Sequence, residues 1–488
     1  MSNESQGTIS RRKAITMLGA TALVGTYSLK ASAQVAAQNL LIVNTVQDLR
    51  NISVNNNAIQ ILGRTQLGDG GGLFYWDPNS ALPEDGGIIF QSSTLASGSN
   101  GRWVRFFLKT DGIEPSWFGC VSDGATDDTL AFQATVNAAF LWDAKIRVPR
   151  GKTKITSDIQ LSGNPIIEGD SPQTSELVFF NNSGIRYLNG AVSEYSSNNQ
   201  VEIRHAGFRC ADQKNSTAII DLRFTGGNGT TSQSVILEDV EVTGNAGNTG
   251  FTKAVYLSNA RNIKVRGMRI SGNASEADWS GTHGLYLDGN AQPVEFYISD
   301  CNFYNVDAGI YVNGLGASQG IEGVYITQCS FVSCNYGVYA SGSVTHPLIK
   351  VNGSQFNCFY SNVYAYNYVH LMITSNVFYA AGPRLGKPHI CISIGANQPN
   401  GGFTSIISSN IILGSNFTGQ PKNGIVIGGS GLFSILISDN YIGGYDTPIW
   451  LTSGSNSVVV AASNQLIGNY SNCVRDDGVN NTVSLTKC

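Results

Sequence analysis

Charged side chains that could do glycan chemistry cluster between positions 253 and 307 of this 488-residue sequence. Hydrolysis of a glycosidic bond needs two carboxyl groups, one to protonate the leaving oxygen and one to activate water or to attack. Cleavage by elimination needs instead a base near C5 of a uronate and a cation near its carboxylate. The stretch offers groups for both reactions, namely the carboxylates Asp278, Asp288 and Asp307 and the basic side chains Lys253 and His283.

A repeated two-part sequence motif, here called the phrase, determines where these side chains lie in the fold. Its first part is a short apolar segment such as YISDCNF or YITQCSF, and copies are separated by as few as 22 residues (Ser354 to Asn376) and as many as 34 (Asn376 to Asn410). Helical solenoids and propellers keep their repeat length, whereas turns of variable length suit a parallel β-helix. The sequence therefore predicts an all-β protein, a single-stranded right-handed parallel β-helix over residues 111–488.

Equivalent positions of successive coils stack ~4.8 Å apart in such a fold, so they form ladders. Aligned copies of the first part predict an internal asparagine ladder whose amides bond from rung to rung, formed by Asn376, Asn410, Asn440 and Asn464. Cys301 and Cys329 fall in the same column and are predicted to be free core thiols. Cys473 and Cys488, near the C-terminus, are the two cysteines expected to be able to pair.

The second part of the phrase, as in AVYL, GLYL and GIYV, predicts an aromatic column on the outside. Strand side chains alternate between faces, so the aliphatic second and fourth residues line the core and the third points outward. The column holds Tyr256, Tyr286, Tyr311, Tyr339 and Tyr364, with Trp450 at the equivalent position further along. It could stack on sugar rings, or it could be covered by a loop or by another subunit.

The long turn EADWSGTHGLYLDG brings the charged groups to this column. It carries Asp278, Trp279 and His283, and Asp307 on the next coil is expected in register with Thr282, as is Lys253 with His283. Substrate-binding residues are therefore predicted to be Trp279, Tyr256, Tyr286, Tyr311 and Tyr339. The same residues also have ordinary structural interpretations, since Asp288 can cap a turn and Trp279 can pack against its own turn.

The N-terminal part predicts three further segments. Residues 1–33 have the Arg-Arg pair, apolar run and small-residue cleavage site of a twin-arginine-type signal peptide, and residues 34–110 predict a small β-rich region. Asp127, Asp128 and Thr129 are predicted to cap a helix of about 127–141 that covers the end of the β-helix. Apolar residues at helical spacing form its inner side: Phe132, Val136, Ala139 and Phe140. A Ca²⁺ site is the alternative for the aspartates, but their spacing matches no EF-hand loop.

Composition excludes several partners. The formal net charge is −4, and no Lys/Arg-rich run follows the first 30 residues, which argues against nucleic-acid binding. No CxxC pair or Cys/His spacing indicates a zinc site. Removal of residues 1–33 leaves an exported, acidic protein with no predicted membrane partner.

The order FGCVSDGATDDTLAFQATVNAA, then Val148-Pro149-Arg150-Gly151, then Glu168-Gly169-Asp170 resembles the start of the pectate-lyase-like superfamily domain. The resemblance implies a right-handed β-helix, often a homotrimer, that acts on a polysaccharide. Its members include hydrolases, lyases and proteins that only bind. THGLYL and NVDAGIYV also resemble motifs of polygalacturonase-type glycoside hydrolases, which implies that His283 and Asp307 are site residues.

Together these features predict an exported polysaccharide-degrading enzyme that acts by hydrolysis and needs no cofactor. Asp278, Asp288 and Asp307 are the candidates for acid, base or nucleophile, while His283 and Lys253 would orient or stabilise charge. One alternative is a lyase for a uronate-containing glycan, with Lys253 or His283 near the substrate carboxylate and Ca²⁺ as a cofactor. The other is a non-catalytic glycan-binding or surface protein.

Overall fold

The computed structural model describes residues 40–488 apart from short gaps at 55–57, 190–198, 213–214, 225–232, 245–248, 276–278, 290–292, 315–320, 383, 398–401, 415–419, 469, 471 and 486–488. The predicted signal peptide, the candidate acid Asp278 and the C-terminal Cys488 lie outside the described residues. Within the described residues, no helix is long and apolar enough to cross a membrane.

The N-terminal region is a small five-stranded sheet with one short helix. The strands are β1 (Leu41–Val43), β2 (Ala58–Ile61), β3 (Gly72–Asp77), β4 (Ile89–Phe90) and β5 (Arg102–Arg105), in the order β1-β2-β3-β5-β4. Helix α1 (Val46–Asn51) begins at Thr45, which forms a capping box with Asp48. Leu49, Phe74 and Trp103 are fully buried in its core.

The rest of the chain forms one 34-stranded parallel sheet that coils on itself. A 3₁₀ helix (Pro115–Phe118) and the capping helix α2 (Thr129–Trp142) stand near its start. The strands are β6 (Asp123–Asp127), β7 (Ile146–Arg147), β8 (Gly151–Ile155), β9 (Ile159–Gln160), β10 (Ile166–Glu168), β11 (Ser175–Phe179), β12 (Ile185–Asn189), β13 (Asn199–Cys210), β14 (Asn215–Phe224), β15 (Gln233–Gly244), β16 (Phe251–Ser258), β17 (Ile263–Arg266), β18 (Arg269–Ser271), β19 (His283–Asp288), β20 (Val294–Ser299), β21 (Asn302–Tyr304), β22 (Ala308–Gly314), β23 (Glu322–Thr327), β24 (Ser330–Pro347), β25 (Ile349–Asn352), β26 (Gln355–Val369), β27 (Met372–Thr374), β28 (Val377–Ala380), β29 (His389–Ala396), β30 (Gly402–Ser408), β31 (Ile411–Leu413), β32 (Lys422–Gly429), β33 (Leu432–Ser438), β34 (Tyr441–Gly443), β35 (Thr447–Leu451), β36 (Val458–Val460), β37 (Gln465–Ile467), β38 (Val474–Asp476) and β39 (Thr482–Val483).

Each coil adds a strand to three parallel faces, here called sheets A, B and C. Sheet A contains β7, β10, β17, β20, β23, β25, β27, β30, β33, β36 and β39, and sheet B contains β8, β11, β18, β21, β28, β31, β34 and β37. Sheet C contains β9, β12, β14, β16, β19, β22, β29, β32, β35 and β38, while the long strands β13 and β15 bend from A to B and β24 and β26 from B to C. The predicted fold class, a right-handed parallel β-helix with a capping helix and a small N-terminal β region, is confirmed.

The corner between sheets A and B explains why the first part of the phrase repeats. One residue of each corner has a positive φ, which glycine, asparagine, aspartate and a few small polar residues tolerate best. These residues are His205, Asp239, Gly267, Asp300, Gln328, Gly353, Ser375, Ser409 and Asp439, with φ between 49° and 64°. The residue that follows each of them turns into the core, so the corner fixes where the internal ladder stands.

The predicted asparagine ladder occupies that internal column. Asn376 Nδ2 donates to Asn410 Oδ1 at 3.1 Å, Asn410 Nδ2 to Asn440 Oδ1 at 2.9 Å, and Asn440 Nδ2 to Asn464 Oδ1 at 3.0 Å. Each amide also donates to a backbone carbonyl, as Asn410 does to Ile373 at 2.8 Å. Cys301 and Cys329 stand earlier in the column as buried free thiols, as predicted. Cys473 is disulfide-bonded.

The aspartate cluster near the capping helix has a structural role that differs from the predicted one. Asp127 Oδ1 accepts from the backbone N–H of Thr129 at the helix start, but Asp128 makes no capping bond and is 1% exposed. Asp128 instead accepts from the backbone N–H groups of Val121 and Ser122 at 2.8 and 2.9 Å and so closes the preceding loop. Three hydrogen bonds from the 125–126 turn hold the pKa of Asp123 below its usual range.

The helix itself covers the first coils with a narrower apolar side than its sequence predicted. Phe132, Val136 and Ala139 are buried as expected. Phe140 is 61% exposed, because its ring lies over Gly163 at the surface while its neighbour Ala139 takes the buried position. The prediction that Phe140 lines the core is therefore wrong.

Candidate active site on sheet C

The aromatic column predicted from the sequence lies on the outer surface of sheet C. Tyr256 pairs in register with Tyr286, Tyr286 with Tyr311, Tyr311 with Tyr339, and Tyr339 with Tyr364. The aliphatic neighbours on either side, such as Leu285 and Leu287, are fully buried. Strand alternation thus aligns five phenol rings along the helix axis. We call the surface formed by these tyrosines and their flanking polar residues the tyrosine face.

Four of the rings stack on one another and form what we call the tyrosine ladder: Tyr286, Tyr311, Tyr339 and Tyr364. Successive ring centroids are 4.8, 4.9 and 4.7 Å apart, with interplanar angles of 5°, 13° and 11°. Most ring faces are therefore covered by the next ring, which leaves ring edges and hydroxyl groups to face outward. Burial raises the pKa of Tyr286 to about 12, so its phenol keeps its proton at neutral pH.

Two tyrosines are turned out of the stack. Tyr256 meets Tyr286 edge-on at 70°, and Tyr336, which precedes the ladder residue Tyr339 on β24, meets Tyr339 edge-on at 75°. Burial raises the pKa of both Tyr256 and Tyr336 to about 12. The face of Tyr256 is covered in turn by cations, because Arg223 lies 4.9 Å and Lys253 5.4 Å from its centroid.

Lys253 and His283 lie side by side at the edge where the strands of sheet C begin. They pair in register, as the sequence predicted. The Lys253 ammonium is 4.7 Å from the centroid of Tyr286, and the His283 ring is 5.3 Å from Tyr286 and 4.5 Å from Tyr311. Lys253 forms no ion pair with any described residue. A partly buried cation held over tyrosine rings, with no carboxylate partner in the described part of the chain, suits an anionic ligand.

Asp307 lies at the same edge and ties three coils together. Its Oδ2 accepts from the backbone N–H of Gly281 at 3.0 Å, and its Oδ1 accepts from Nδ2 of the fully buried Asn335 at 2.9 Å. Its backbone N–H donates to the carbonyl of Thr282 at 2.7 Å, as the predicted register requires. Both carboxylate oxygens are thus oriented by the scaffold, and they hold the turn that leads into His283.

Asp288 lies at the opposite edge, where the strands of sheet C end. Its carboxylate accepts from the hydroxyl of Tyr256 at 2.8 Å, from the backbone N–H of Gly289 at 2.8 Å and from Asn313 at 3.3 Å. Arg223 stands nearby and is held by a two-pronged bond to the buried carboxylate of Asp221, at 2.8 and 2.7 Å. That bond raises the pKa of Arg223 above its usual value.

Asp288 and Asp307 are not brought together as an acid and base pair. Asp307 aligns with Thr282, which directly precedes β19, whereas Asp288 is the last residue of β19, six residues after Thr282. At about 3.3 Å per residue this offset is about 20 Å. Paired carboxyl groups of glycoside hydrolases are about 5–9.5 Å apart, so these two residues cannot act on the same glycosidic bond.

Trp279 does not lie open on the tyrosine face. Its indole is 4% exposed, and its Nε1 donates to the backbone carbonyl of Asn273 at 2.8 Å. The guanidinium of Arg384, from the segment before β29, lies 3.4 Å from the centroid of the indole. Phe359 packs at 5.9 Å. Trp279 therefore anchors its own turn, the structural interpretation that the sequence left open, and it is not available for stacking on a sugar in this structure.

Sequence analysis missed Asp221, Arg223, Asn313, Asn335 and Tyr336. The first two had a readable signal. The segment IIDLRF at 219–224 has the same alternation as AVYL, and Asp221 occupies the tyrosine position opposite Tyr256. Asn335 and Tyr336 sit where β24 bends between sheets, a place that the repeat does not mark. Within the described residues, no cluster of three His, Cys, Asp or Glu side chains could hold a metal ion.

Residues 42–108 match the family model described as the phage tail protein small four-stranded β-sheet domain. This region coincides with the five-stranded N-terminal sheet. A search of curated protein sequences gives no match for the chain.

Among solved structures, the chain is similar to the Agl-KA catalytic domain, with 14% identity, a TM-score of 0.48, and coverage of 79% of this chain and 71% of that one. It is similar to tailspike protein 2 of an Escherichia coli O157:H7 bacteriophage, with 15% identity, a TM-score of 0.38, and coverage of 96% and 57%. A third is WceF of Pantoea stewartii, with 15% identity, a TM-score of 0.38, and coverage of 77% and 47%. The chain spans about half the length of the latter two. The fold that the resemblance to the pectate-lyase-like superfamily implied, a right-handed parallel β-helix, is confirmed.

Proposed function

We propose that this protein is an exported carbohydrate-active enzyme that binds an acidic glycan along the tyrosine face and cleaves it by elimination. One observation carries the proposal: Lys253, which has no ion-pair partner among the described residues, lies over Tyr286 in register with His283. A cation, a proton acceptor and a protonated phenol thus stand together at one place on a long open surface. A uronate ring is the sugar whose carboxylate would meet the cation.

In the elimination step, Lys253, His283 and Tyr286 each have a separate role. The Lys253 ammonium binds the uronate carboxylate and stabilises the charge that builds on it. The His283 ring accepts the proton from C5, a role that requires its unprotonated form. The electron pair of that C–H bond forms the C4–C5 double bond while the C4–O bond breaks, and the Tyr286 hydroxyl gives its proton to the departing oxygen. The raised pKa of Tyr286 favours this role, because the phenol reaches the step with its proton in place.

Hydrolysis, the reaction predicted from the sequence, is the second candidate. It is favoured by the two carboxylates that flank the tyrosine face, Asp288 and Asp307, each fixed by hydrogen bonds. Because these two are about 20 Å apart by strand rise, each would need a different partner. Asp278, which lies outside the described residues, is the partner proposed from the sequence.

The test separates the two reactions and a purely binding protein. Mature protein is incubated with neutral and uronate-containing polysaccharides, and new reducing ends and the ultraviolet absorbance of unsaturated uronates are both followed. We expect both signals from uronate-containing polymers only. Reducing ends without absorbance would establish hydrolysis, and binding without either signal would leave the non-catalytic alternative.

Lys253→Ala is the matching variant. It should lower kcat/KM about 100-fold or more, the usual cost of removing one group that stabilises developing charge. The control is Lys264→Ala, which removes an equal charge from an exposed position of β17 on sheet A, again without an ion pair among the described residues. Equal activity of the two variants would contradict the role given to Lys253.

Self-association as a homotrimer is part of the proposal, and the C-terminal outer surfaces of sheets A and B support it. The strands β27, β28, β30, β31, β33, β34, β36 and β37 contain no charged residue. Ile406, Ile411, Leu436 and Ile467 are 36–50% exposed there. Extended apolar surfaces of this kind mark interaction sites. Sedimentation should give a trimer for the wild type and a smaller species for Ile406→Asp/Leu436→Asp, whereas a wild-type monomer would refute this part.

Export by the predicted signal peptide is the remaining part of the proposal. N-terminal sequencing of protein recovered from the periplasm or medium should begin after Ala33. An intact N-terminus in the cytoplasm would contradict it.

A further inference from the structure

The two ends of the tyrosine ladder differ, and the difference defines a binding position that sequence analysis did not assign. At the first end, the outer face of Tyr286 is covered by the Lys253 ammonium at 4.7 Å and by the edge of Tyr256. Tyr311 and Tyr339 have a ring on each side. Tyr364, at the other end, has Tyr339 on one face, and the column continues with Ser393 on the opposite side.

The change from Tyr364 to Ser393 makes a step in the column. A serine side chain does not reach the height of a phenol ring, so no ring among the described residues matches the face of Tyr364 that looks along the axis toward Ser393. The contacts of Tyr364 with other rings are the stacked Tyr339 at 4.7 Å and the edge of Tyr336 at 6.3 Å. Beyond Ser393 the column continues with Val426 and Trp450.

The neighbouring column bounds the step on one side. Ser341, Tyr366 and Gly395 align there. A Cβ on Gly395 would stand 2.8 Å from Tyr366 Cδ2, so the Tyr366 ring lies against the bare backbone of Gly395. Tyr366 thus forms a second aromatic surface beside the step, where its ring covers Gly395, and the floor of the step is Ser393. Concave sites lined by aromatic groups with a few polar atoms are typical of ligand positions.

We propose that the face of Tyr364 above Ser393 binds one pyranose ring of the glycan by stacking, as a distal subsite. This inference rests on the proposed function, since it assumes that the glycan follows the tyrosine face. It adds that the glycan is also bound three coils away from His283, about 14 Å along the axis. The ladder presents hydroxyl groups between the two positions, and only its last ring offers a face.

Filling the step tests the subsite. Ser393→Phe extends the ladder by one ring and covers the face of Tyr364, and Ser393→Leu covers it with a smaller group. Ser393→Ala removes the hydroxyl but leaves the face open. We expect Kd and KM for long chains to rise about 3- to 10-fold in the Phe and Leu variants and to change less than 2-fold in the Ala variant.

A matched control shows whether an added aromatic ring alone disturbs the fold. Ser271→Phe adds the same ring on sheet B, where Ser271 aligns with Tyr304 and an aromatic neighbour is already present. Its glycan affinity should equal that of the wild type, and both Phe variants should keep the wild-type unfolding midpoint. If Ser393→Phe unfolds early, the Leu variant decides.

The outcomes separate this inference from the function it rests on. If the wild type binds no glycan by calorimetry and cleaves none, the proposed function and the subsite both fail. If the wild type binds and the Leu and Phe variants bind as tightly as Ser393→Ala, the subsite alone is overturned. Loss of affinity in the Leu and Phe variants but not in Ser393→Ala or Ser271→Phe supports it.

Discussion

Replacing Asp307 by asparagine distinguishes a scaffold role from a chemical one. One carboxylate oxygen accepts a hydrogen bond from Gly281 N–H, and the other accepts one from Asn335 Nδ2. An asparagine amide offers one oxygen and one N–H donor, so one of the two donors would face another donor. Asn335 is fully buried, and an unsatisfied buried group costs about 1–3 kcal/mol. We therefore expect Asp307→Asn to destabilise the turn before His283 by about that amount.

The assay must be local, because the coils of a solenoid contact mainly their neighbours. Amide hydrogen exchange at Gly281 should accelerate about 5- to 140-fold, since 1.4 kcal/mol corresponds to a factor of ten. The control is Asp300→Asn, at an exposed corner with φ of 57°, a conformation that asparagine tolerates. It should leave exchange at Gly281 unchanged.

Two results would refute this reasoning about Asp307. If exchange at Gly281 stays at the wild-type rate, the hydrogen bonds do not hold the turn. If cleavage is lost while exchange and the unfolding midpoint are unchanged, Asp307 acts on the substrate, as the sequence predicted. Loss of both together, with a rise in KM larger than the fall in kcat, supports a positioning role through His283.

Two further predictions follow from the ladders. Asn410→Ala should lower the free energy of unfolding by at least about 2 kcal/mol, because it leaves the Asn376 amide and the Ile373 carbonyl without their buried partners. Denaturant unfolding measures this against Asn79→Ala, a control at an exposed position whose φ is not in the left-handed region. The pKa of about 12 for Tyr256, Tyr286 and Tyr336, against about 10 in the unfolded chain, means that the folded state holds these protons more tightly. The contribution of these phenols to stability should therefore be constant below about pH 10 and fall as the pH rises toward 12. Tyrosinate absorbance in an alkaline titration should then show a late phase in the wild type that shrinks in Tyr286→Phe, and a single phase near pH 10 would contradict the burial of these phenols.

The positions of the ladders could be predicted because they depend on one-dimensional rules. Strand alternation decides which residues of AVYL or GLYL face the core, and the coil stacks like positions on each other. The sequence therefore predicted that Tyr286 lies opposite Tyr311 and that Asn376 lies beside Asn410. The pairing of Lys253 with His283 follows from the same rules, since both precede a column tyrosine on neighbouring coils.

Contacts made by irregular segments could not be predicted in this way. The carboxylate of Asp128 turns back to Val121 and Ser122 rather than forward to the helix, which depends on how the loop before it closes. The burial of Trp279 depends on Arg384, which arrives from a loop several coils later. Neither contact corresponds to a repeating pattern in the sequence, because loop length varies from coil to coil. No rule relates the residues in one loop to those in the next.

Because the tyrosine rings stack on one another, this surface cannot recognise a sugar chain by stacking along its whole length. Rings spaced 4.7–4.9 Å apart leave no room for a sugar between them, so along Tyr286, Tyr311 and Tyr339 recognition falls to hydroxyl groups. A row of equivalent hydroxyl groups cannot distinguish the two orientations of a bound glycan. The two ends of the ladder can, because Lys253 attracts a carboxylate at one end and the step at Ser393 accepts a sugar ring at the other. If both proposals hold, a glycan must bind in one orientation only, with its reacting uronate at His283 and its distal sugar at Tyr364, and short products should all derive from the same end of the chain.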